Sequence, residues 1–439
     1  MRRIKELRAL HSGQEVLRDA GDDVTNVGVG PAWLAAPTVL VTSPAGLHDV
    51  LGRTDGVVER TSVHEEMRHL TGENLFDMTQ DRWLPRRRAL QTVFTKHQVT
   101  EFAGDMVGAA HTVTGGWSPG EWVDLDAECR RLTLRALGRS VMGLDLDEVS
   151  GDLGTTMRVA LSYIADRSLR PVRAPRWLPT PARRHARAAS ATLRGLAARV
   201  LENCRADPAV AAPLVRALTS AVDPDSGRPL DDDEICSELI AFLLAGHDTT
   251  ATTLTYALWA LGRHPEIQQR VAAEADELRD HELTAADVPH LRYTVQVLHE
   301  ALRLCPPGPA LGREASCDIA VDGHRIPRGS LIVAGIYAVH RDPRYWENPL
   351  TFDPDRFDSA RAKQLDRWQY LPFGAGPRSC IGDHFAMLEV TLALATIIGQ
   401  VEIVSTREDF PLTVPFTMVA AEPAPARIVR RRAAATMLW

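Results

Sequence analysis

The chain of 439 residues is 45% apolar and 24% charged, and its formal net charge is −7. These values are typical of a globular protein, and the acidic balance argues against binding to nucleic acid. The first ten residues, MRRIKELRAL, are charged, no apolar segment follows them, and no apolar run of about 18 residues occurs, so we expect neither a signal peptide nor a transmembrane anchor. The six cysteines lack the short spacings of a zinc site, which predicts mostly free thiols.

The N-terminal part of the chain predicts a small sheet that is followed by a long helical region. Residues 38–63 predict a strand, a turn and a helix, and from about residue 84 to about residue 305 the apolar spacing is helical. Trp83 and Arg87 lie four residues apart, so they share one helix face and can both donate hydrogen bonds to one anion. The run of arginines around them leaves open a solvent-exposed basic helix.

Two loops interrupt the helical region. The first, at residues 168–187, is rich in Arg and Pro, and the second, at residues 223–229, has Pro-Asp-Ser-Gly turn chemistry. We expect the first loop to be a solvated connection. Contact with an acidic carrier protein or a membrane surface is the alternative.

A long helix is predicted from about Asp231 to about Arg263, and its apolar residues lie nearly all round it, which places it at the centre of the protein. Its middle carries Asp248 and Thr249, and a buried acid beside an alcohol is unfavourable unless both groups are used or hydrogen-bonded. The Thr249 hydroxyl can donate to the carbonyl four residues earlier and open the helix locally. A functional acid–alcohol pair and a buried polar pair that kinks the helix both fit this pattern. One face of the helix carries Ala241, Leu244, Ala245 and Thr249.

Further along the chain, Glu300 and Arg303 are three residues apart in a helix that ends before Pro306, so they can form an ion pair. In isolation such a pair is usually an ordinary surface pair. Residues 318–335 alternate apolar and polar side chains around Asp-Gly and Pro-Arg-Gly turns, which predicts a hairpin. Residues 400–430 again predict strands.

The stretch Phe373–Gly382, FGAGPRSCIG, surrounds one cysteine with glycine, proline and arginine. Glycines let the backbone turn its N–H groups toward the thiol, and the helical pattern after Cys380 places the thiol at a helix N-terminus, where we expect a lowered pKa. A single cysteine without a second protein ligand suits a metal held mainly by a porphyrin. Arg378 would then point toward a porphyrin carboxylate. A buried structural cysteine is the alternative.

The full pattern Phe-Gly-x-Gly-x-Arg-x-Cys-x-Gly resembles the haem-binding signature of the cytochrome P450 family at every position. The motifs around Thr249, Glu300 and Trp83, together with Arg356, resemble other motifs of that family in the same order. The resemblance extends from about residue 20 to about residue 430. It implies a mainly α fold with small β-sheets (α+β), a single domain over residues 1–439, with haem between the long central helix and the cysteine loop. Residues 84–305 would be helix-rich, and about 20–80, 310–345 and 400–430 would be sheet-rich.

The resemblance also implies a role for each motif. Cys380 would be the axial ligand of the haem iron, and Asp248 and Thr249 would deliver protons to the oxygen that is activated there. A structural lock behind the cysteine loop would consist of Glu300, Arg303 and Arg356. The residues expected to bind the haem are Cys380, Trp83, Arg87, Arg313, Arg378, Phe373, Gly374, Gly382 and Ala245.

The expected substrate pocket contains few polar residues and no charged anchor. This composition predicts an apolar, medium-sized substrate such as a terpenoid, and leaves a macrolide, a steroid or a fatty acyl group open. By the resemblance, its walls are Leu75, Phe76, Met78, Ala241, Leu244, Gly308, Pro309, Ala310, Leu311 and Phe416.

The activity implied by the resemblance is insertion of one oxygen atom from O2 into a hydrophobic molecule by a haem-b monooxygenase. The chain lacks a Gly-x-Gly-x-x-Gly fingerprint and an iron–sulfur cysteine spacing, so electrons from NAD(P)H would arrive through a separate ferredoxin and ferredoxin reductase. We expect a monomer in a bacterial cytoplasm. Basic residues that would dock the ferredoxin include some of Arg82, Arg86, Arg88 and Lys96.

Other classes of function remain open. A desaturase or rearrangement catalyst would use the same oxidant chemistry. A peroxygenase is a further alternative, but the acid–alcohol pair argues against a peroxide-driven enzyme. A non-enzymatic haem sensor is the last alternative, and the complete set of proton-relay residues argues against it.

Overall fold

The computed structural model describes residues 23–27, 37–146, 150–169, 173–223 and 225–431. The charged N-terminal segment MRRIKELRAL and residues 170–172 of the arginine-rich loop lie outside the described residues, as do the predictions made for them. The described residues form mainly helices with small sheets, which confirms the predicted mainly α class.

Several helices begin at residues whose side chains cap the first turn. Ser43 and Thr180 each accept a hydrogen bond from a first-turn N–H group, and each is followed by proline. Asp231 and Glu234 form a reciprocal capping box at the start of the longest helix. The helices are α1 Pro44–Leu51, α2 Ser62–Thr71, α3 Gln80–Gln91, α4 Lys96–Thr100, α5 Ala103–Thr114, α6 Leu125–Leu137, α7 Ser150–Leu169, α8 Pro181–Ala206, α9 Pro213–Ser220, α10 Asp232–Arg263, α11 Pro265–Glu277, α12 Arg292–Leu304, α13 Ile336–Val339, α14 Ser359–Ala362 and α15 Asp383–Gln400.

The strands are short. They are β1 Val24–Asn26, β2 Thr38–Val41, β3 Val58–Glu59, β4 Trp122–Asp124, β5 Leu311–Ala315, β6 Ile319–Val321, β7 His324–Ile326, β8 Leu331–Ala334, β9 Val401–Ser405, β10 Leu412–Thr413, β11 Val419–Ala420 and β12 Pro425–Arg430. The largest sheet has the order β1-β2-β8-β5-β3, and in it β2 and β8 are parallel, with Val39 opposite Ile332. A second sheet has the order β4-β12-β9, and the remaining two are the pairs β10-β11 and β6-β7.

The hairpin predicted within residues 318–335 is present. β6 and β7 are antiparallel, and Asp322 and Gly323 connect them with φ angles of 47° and 75°. Two successive positive φ angles match the twist of a two-residue hairpin, and an Asp-Gly pair tolerates them well. Local turn chemistry alone was therefore sufficient to find this element.

Elements that differ from the predicted arrangement include α2 and β4. α2 lies within the region expected to be rich in sheet, and Thr61 and His64 cap its first turn reciprocally. β4 lies within the region expected to be helical, because it pairs with β12, with Val123 opposite Ala426. A strand of three residues has too few positions to show a period, so only its distant partner reveals it.

The central position predicted for the long helix is observed. α10 has 32 residues, and it packs against α6, α8, α12 and α15. Since α15 begins directly after the cysteine loop, its packing against α10 brings that loop close to the polar residues in the middle of α10. The fold thus joins two motifs that are far apart in the sequence.

Candidate active site

The cysteine loop, Phe373–Gly382, turns sharply at two glycines. Gly374 and Gly376 have φ angles of 69° and 72°, which residues with a side chain rarely adopt. A Cβ atom at Gly376 would lie 1.9 Å from the backbone oxygen of Leu51, the last residue of α1. The loop therefore requires glycine at 376 both for its conformation and for its contact with α1.

The Cys380 thiol lies just before α15, whose N-cap is Gly382, as the sequence predicted. Cys380 has accessible surface, but its thiol lies deep within the surrounding protein. The resulting desolvation raises the pKa of the thiol to about 11, and the Gly382 N–H acts in the opposite direction. The predicted lowering of this pKa is wrong for the polypeptide alone, because lost hydration outweighs one backbone dipole. A bound metal cation would supply the positive charge that a thiolate needs at this position.

Three guanidinium groups converge beside the cysteine loop. They belong to Arg60, Arg313 and Arg378, which line a cleft that opens to solvent. The volume of the cleft, including its opening, is about 470 Å³. Burial, and then repulsion by the other two guanidiniums, lowers the pKa of Arg60 well below its usual value, and burial lowers the pKa of Arg313 to about 10. Arg60 Nε and Arg378 Nη1 are buried with no hydrogen-bond partner among the described residues. This arrangement favours a bound anion.

Trp83 lies between two of the arginines expected to bind the haem. Its ring centroid is 4.1 Å from the guanidinium carbon of Arg378 and 5.4 Å from that of Arg87, and the side chain is buried, so both cation–π contacts are shielded from solvent. Arg87 Nη1 donates to the Ser379 carbonyl at 2.8 Å, which ties α3 to the cysteine loop. Trp83, Arg87 and Arg378 are thus brought together next to Cys380.

These residues fit a haem. A haem presents two carboxylates and an iron that accepts an axial thiolate, and the site offers unpartnered guanidinium donors and one accessible thiol. Apart from its chain neighbours, a Cβ atom at Gly382 would meet only a ring carbon of Phe94, 4.0 Å away, so the backbone after Cys380 has open space beside it. Phe373 and Ala245 are also partly accessible. Sequence reasoning missed Arg60. The only feature that could have indicated its role is a positive charge just before α2.

The structure brings Glu300, Arg303 and Arg356 together. Arg303 donates to both oxygens of Glu300 at 2.7 Å, and neither side chain is exposed to solvent. Arg356 Nε lies 3.4 Å from Glu300 Oε1, which also accepts from the Asp353 N–H group at 2.9 Å. Because a buried charge is tolerated only when it is paired, these contacts depend on one another.

A further contact connects this structural lock to the cysteine loop. Arg303 Nη1 donates to the His340 carbonyl at 2.8 Å, and the His340 ring accepts from the Leu371 N–H group at 2.8 Å. Leu371 in turn accepts from the Gly374 N–H group at 3.0 Å. Three hydrogen bonds therefore lead from the buried ion pair to the first turn of the loop.

Thr249 makes the hydrogen bond that the sequence predicted, but it does not break the helix. Its Oγ1 donates to the Ala245 carbonyl at 2.7 Å, while α10 remains α-helical from Asp232 to Arg263. Both Ala245 and Thr249 are partly accessible within a helix that is otherwise largely buried. The accessible face of α10 is therefore the one that carries the alcohol.

Asp248 points to a different set of neighbours. Its carboxylate forms a buried ion pair with Arg130 of α6 and accepts a hydrogen bond from the Thr417 hydroxyl at 2.7 Å. Burial alone would raise the pKa of Asp248, but Arg130 and then Thr417 lower it overall. Sequence reasoning missed both partners, although an acid in an apolar helix signalled that a partner must exist.

The residues predicted to form the pocket divide into two groups. The first group is already buried without a bound ligand, and it consists of Met78, Ala241, Leu244 and Pro309. The others are partly accessible, as a wall that faces an interior space should be. They are Leu75, Phe76, Gly308, Ala310, Leu311 and Phe416.

One of the residues expected on the ferredoxin-docking surface is buried. Arg86 Nη1 donates to Glu238 Oε1 of α10 at 3.0 Å, and Glu238 Oε2 accepts from the Leu75 N–H group at 3.2 Å. Arg86 is therefore not among the residues available for docking, because its charge is paired inside the protein. Arg88 and Lys96 are exposed.

The comparisons with known proteins identify the family. The Cytochrome P450 family model matches residues 14–429. The chain belongs to the cytochrome P450 family, so the predicted family and its assignment as a monooxygenase, an oxidoreductase, are confirmed. Membership implies haem and O2, electrons from redox partners, and hydrophobic substrates.

Similar proteins include two from Streptomyces and one of solved structure. Cyclooctat-9-en-7-ol 5-monooxygenase of Streptomyces melanosporofaciens is 32% identical over 87% of this chain and 82% of that protein. Pentalenene oxygenase of Streptomyces avermitilis is 30% identical over 87% of this chain and 84% of that protein. The cytochrome P450DA haem domain aligns with a TM-score of 0.84 at 26% identity, over 97% of this chain and 94% of that one. Within the described ranges, no helix is both long and apolar enough to cross a membrane.

Proposed function

We propose that this protein is a haem-b monooxygenase that inserts one oxygen atom of O2 into a C–H bond of a terpenoid or another apolar secondary metabolite. The similarity over 87% of the chain to relatives named for cyclooctat-9-en-7-ol and pentalenene carries the proposal. The apolar character of the accessible pocket residues supports it, because a hydrocarbon needs no charged anchor.

In this proposal, the haem supplies oxygen activation when it is bound, and the chain controls position and protons. Cys380 would hold the iron, and the guanidiniums of Arg87, Arg313 and Arg378 would bind the propionates. The Thr249 hydroxyl would pass protons at the accessible face of α10. Asp248 would exchange protons with it when the contacts of its carboxylate with Arg130 and Thr417 open.

Electrons from NAD(P)H would reach the haem through a separate ferredoxin and ferredoxin reductase, and the protein would act as a monomer in a bacterial cytoplasm. The exposed basic residues Arg88 and Lys96 support docking of an acidic partner.

The first experiment identifies the substrate class. A panel of terpenoid, steroid, macrolide and fatty acyl compounds is screened by the spin-state shift of the ferric haem, and products of the binders are analysed with ferredoxin, reductase and NADPH. We expect a shift and a hydroxylated product with terpenoids. Products from another class alone would overturn the substrate assignment, and equal turnover with peroxide would favour a peroxygenase.

The second experiment tests the residues. Thr249→Ala should consume NADPH with little product, whereas Thr255→Ala, which removes a buried hydroxyl bonded to the Ala251 carbonyl, should keep its coupling. Unchanged coupling in Thr249→Ala would contradict the relay. A ferrous–CO spectrum of well-folded, haem-loaded protein without the red-shifted thiolate band would exclude Cys380 as the ligand.

A further inference from the structure

The segment between α2 and α3 forms a compact turn that carries residues expected to line the pocket. The N–H groups of Asp77 and Met78 donate to the Asn74 carbonyl at 3.1 and 3.2 Å. The Phe76 N–H group donates to Asn74 Oδ1 at 3.0 Å, and the Asn74 N–H group donates to Asp77 Oδ1 at 2.8 Å. We call residues 72–78 the pocket loop. Since the loop holds its own shape, its contacts with other elements decide where it lies.

The pocket loop meets α10 at two adjacent residues of the helix. Gly72 has a φ angle of 90°, and a Cβ atom there would lie 2.0 Å from Ser237 Oγ, so the loop begins directly against the helix. The Leu75 N–H group then donates to Glu238 Oε2 at 3.2 Å. Close packing therefore fixes the start of the loop, and a hydrogen bond fixes its middle.

The Glu238 carboxylate is buried and has a second partner. Its Oε1 accepts from Arg86 Nη1 at 3.0 Å, and the side chains of Glu238 and Arg86 are 0% and 2% exposed. A buried ion pair adds little stability compared with apolar side chains of similar size, so stability alone does not account for this one. The pair does hold a carboxylate oxygen in one place, and that oxygen is the acceptor for the Leu75 N–H group.

Glu238 lies on the face of α10 that carries the alcohol. It precedes Ala241, Ala245 and Thr249 by 3, 7 and 11 residues, and this spacing places all four on one side of the helix. Eleven residues correspond to roughly 16 Å along a helix axis, which is about three turns. At that distance from Thr249, Glu238 suits a role in the fit of a ligand and not in proton transfer.

We propose that Glu238 is a positioning residue that holds Leu75 and Phe76 at the pocket wall through the Leu75 N–H group, and so sets the size of the apolar ligand that the site accepts. The inference rests on the proposed function for the placement of these two side chains in the pocket. Both are partly accessible and pack against the main core. Without the acceptor, a ligand that contacts the wall would first have to order the loop, which weakens its apparent affinity.

The test compares two double variants of the haem-loaded protein. The acceptor variant, Arg86→Met with Glu238→Gln, removes the ion pair but keeps an amide oxygen that can accept from the Leu75 N–H group. The apolar variant, Arg86→Met with Glu238→Met, has nearly the same size but lacks this acceptor. Because both variants lose the same two buried charges, the difference between them reports the Leu75 hydrogen bond.

The probes are two ligands of the ferric iron, imidazole and clotrimazole, whose binding is followed by the Soret shift. Imidazole is small enough to bind the iron without contacting the pocket loop, whereas clotrimazole is a bulky apolar imidazole that fills the pocket. Compared with the wild type, the apolar variant should bind clotrimazole roughly tenfold more weakly and imidazole equally well. The acceptor variant should recover most of the clotrimazole affinity.

Glu274→Met is the matched control. The Glu274 carboxylate accepts from the N–H groups of Tyr293 and Thr294 at 2.6 and 2.9 Å, so it joins α11 to α12, and neither helix carries a residue expected in the pocket. This substitution should lower stability and leave the ratio of the two affinities unchanged. The same change of ratio in the control would overturn the proposal. An equal loss for both ligands in the apolar variant, or equal clotrimazole affinity in the two double variants, would also overturn it.

These affinities are measured without turnover, so the positioning role and the proposed function can fail separately. Weaker clotrimazole binding without any terpenoid product would support the positioning role and overturn the substrate class. Terpenoid hydroxylation with unchanged clotrimazole binding would overturn the positioning role alone. If the apolar variant does not retain haem, Glu238→Asp replaces it with the same expectation, because its carboxylate is one methylene too short to reach both Arg86 and Leu75.

Discussion

Asp248 is held by two side chains that lie far from it in the sequence, the guanidinium of Arg130 on α6 and the hydroxyl of Thr417 between β10 and β11. One carboxylate oxygen contacts each partner. The acid of the proposed acid–alcohol pair is therefore ionised and fixed in place, and the segment that carries Thr417 follows directly after the pocket residue Phe416.

Arg130 should contribute more to stability through Asp248 than through Asp126. Arg130→Gln leaves the buried Asp248 carboxylate without its cation, which should cost about 3–5 kcal/mol of unfolding free energy. Asp126→Asn removes only the pair of Arg130 with its neighbour one turn away, which should cost about 0.5 kcal/mol. Urea unfolding of both haem-loaded variants measures the difference, and equal losses would contradict it.

The cluster of Arg60, Arg313 and Arg378 should affect haem-loaded and haem-free protein in opposite directions. Arg313→Gln removes a propionate partner, so haem should leave faster, as measured by transfer to excess apomyoglobin. The same substitution relieves repulsion between buried guanidiniums, so the haem-free protein should melt at a higher temperature. Arg325→Gln, at an exposed site, serves as the control for both measurements. A lower melting temperature of haem-free Arg313→Gln would contradict the repulsion.

Arg303 should be less tolerant of substitution by lysine than Arg356. Lysine cannot reproduce the two parallel hydrogen bonds of Arg303 to Glu300, nor the additional bonds to the carbonyls of His340 and Pro349. We expect Arg303→Lys to lose about 3–5 kcal/mol and most bound haem, and Arg356→Lys to lose less. The haem-to-protein absorbance ratio and denaturant unfolding measure these losses, and the reverse order would disprove the prediction.

Glu238 should make stability depend on pH. Burial raises the pKa of Glu238 from 4.5 to about 7 even though Arg86 is its partner. The folded protein then retains a proton that the unfolded chain releases, so this contribution to stability is complete below pH 4.5 and is lost as pH rises through 7. Between pH 4.5 and 7, the unfolding free energy of the wild type should fall by about 3 kcal/mol relative to that of Glu238→Gln. Above pH 7 the difference between the two proteins should stay constant.

Unfolding of both proteins between pH 4.5 and 8 checks this prediction, and Asp233→Asn, at a fully exposed site near the start of α10, is the control. A wild type that gains stability relative to Glu238→Gln as pH rises would reverse the sign and disprove it.

Sequence reasoning succeeded where the information was local. The length of α10, the turn at Asp322 and Gly323, and the Thr249 bond to the Ala245 carbonyl each depend on residues only a few positions apart. The motifs around Cys380 and Glu300 were recognised in the same way.

It failed where a contact joins distant segments. The Arg130 partner of Asp248 is 118 residues away, and many other arginines had the same local character. The partner of β4 is a strand near the C-terminus. Arg86 was expected at the surface because it lies among arginines, and only the packing of α3 against α10 revealed its buried acid. The Cys380 pKa was also misjudged, because desolvation depends on the whole surrounding structure.

The close approach of Gly376 to the Leu51 carbonyl also limits how this protein can be recombined with its relatives. The cysteine loop and the end of α1 are in contact backbone to backbone, and the contact depends on the missing side chain at residue 376. A chimaera that takes residues 44–52 from one parent and residues 373–382 from another should keep this contact when both parents have glycine at 376. A parent with any other residue at that position should be compatible only with its own residues 44–52.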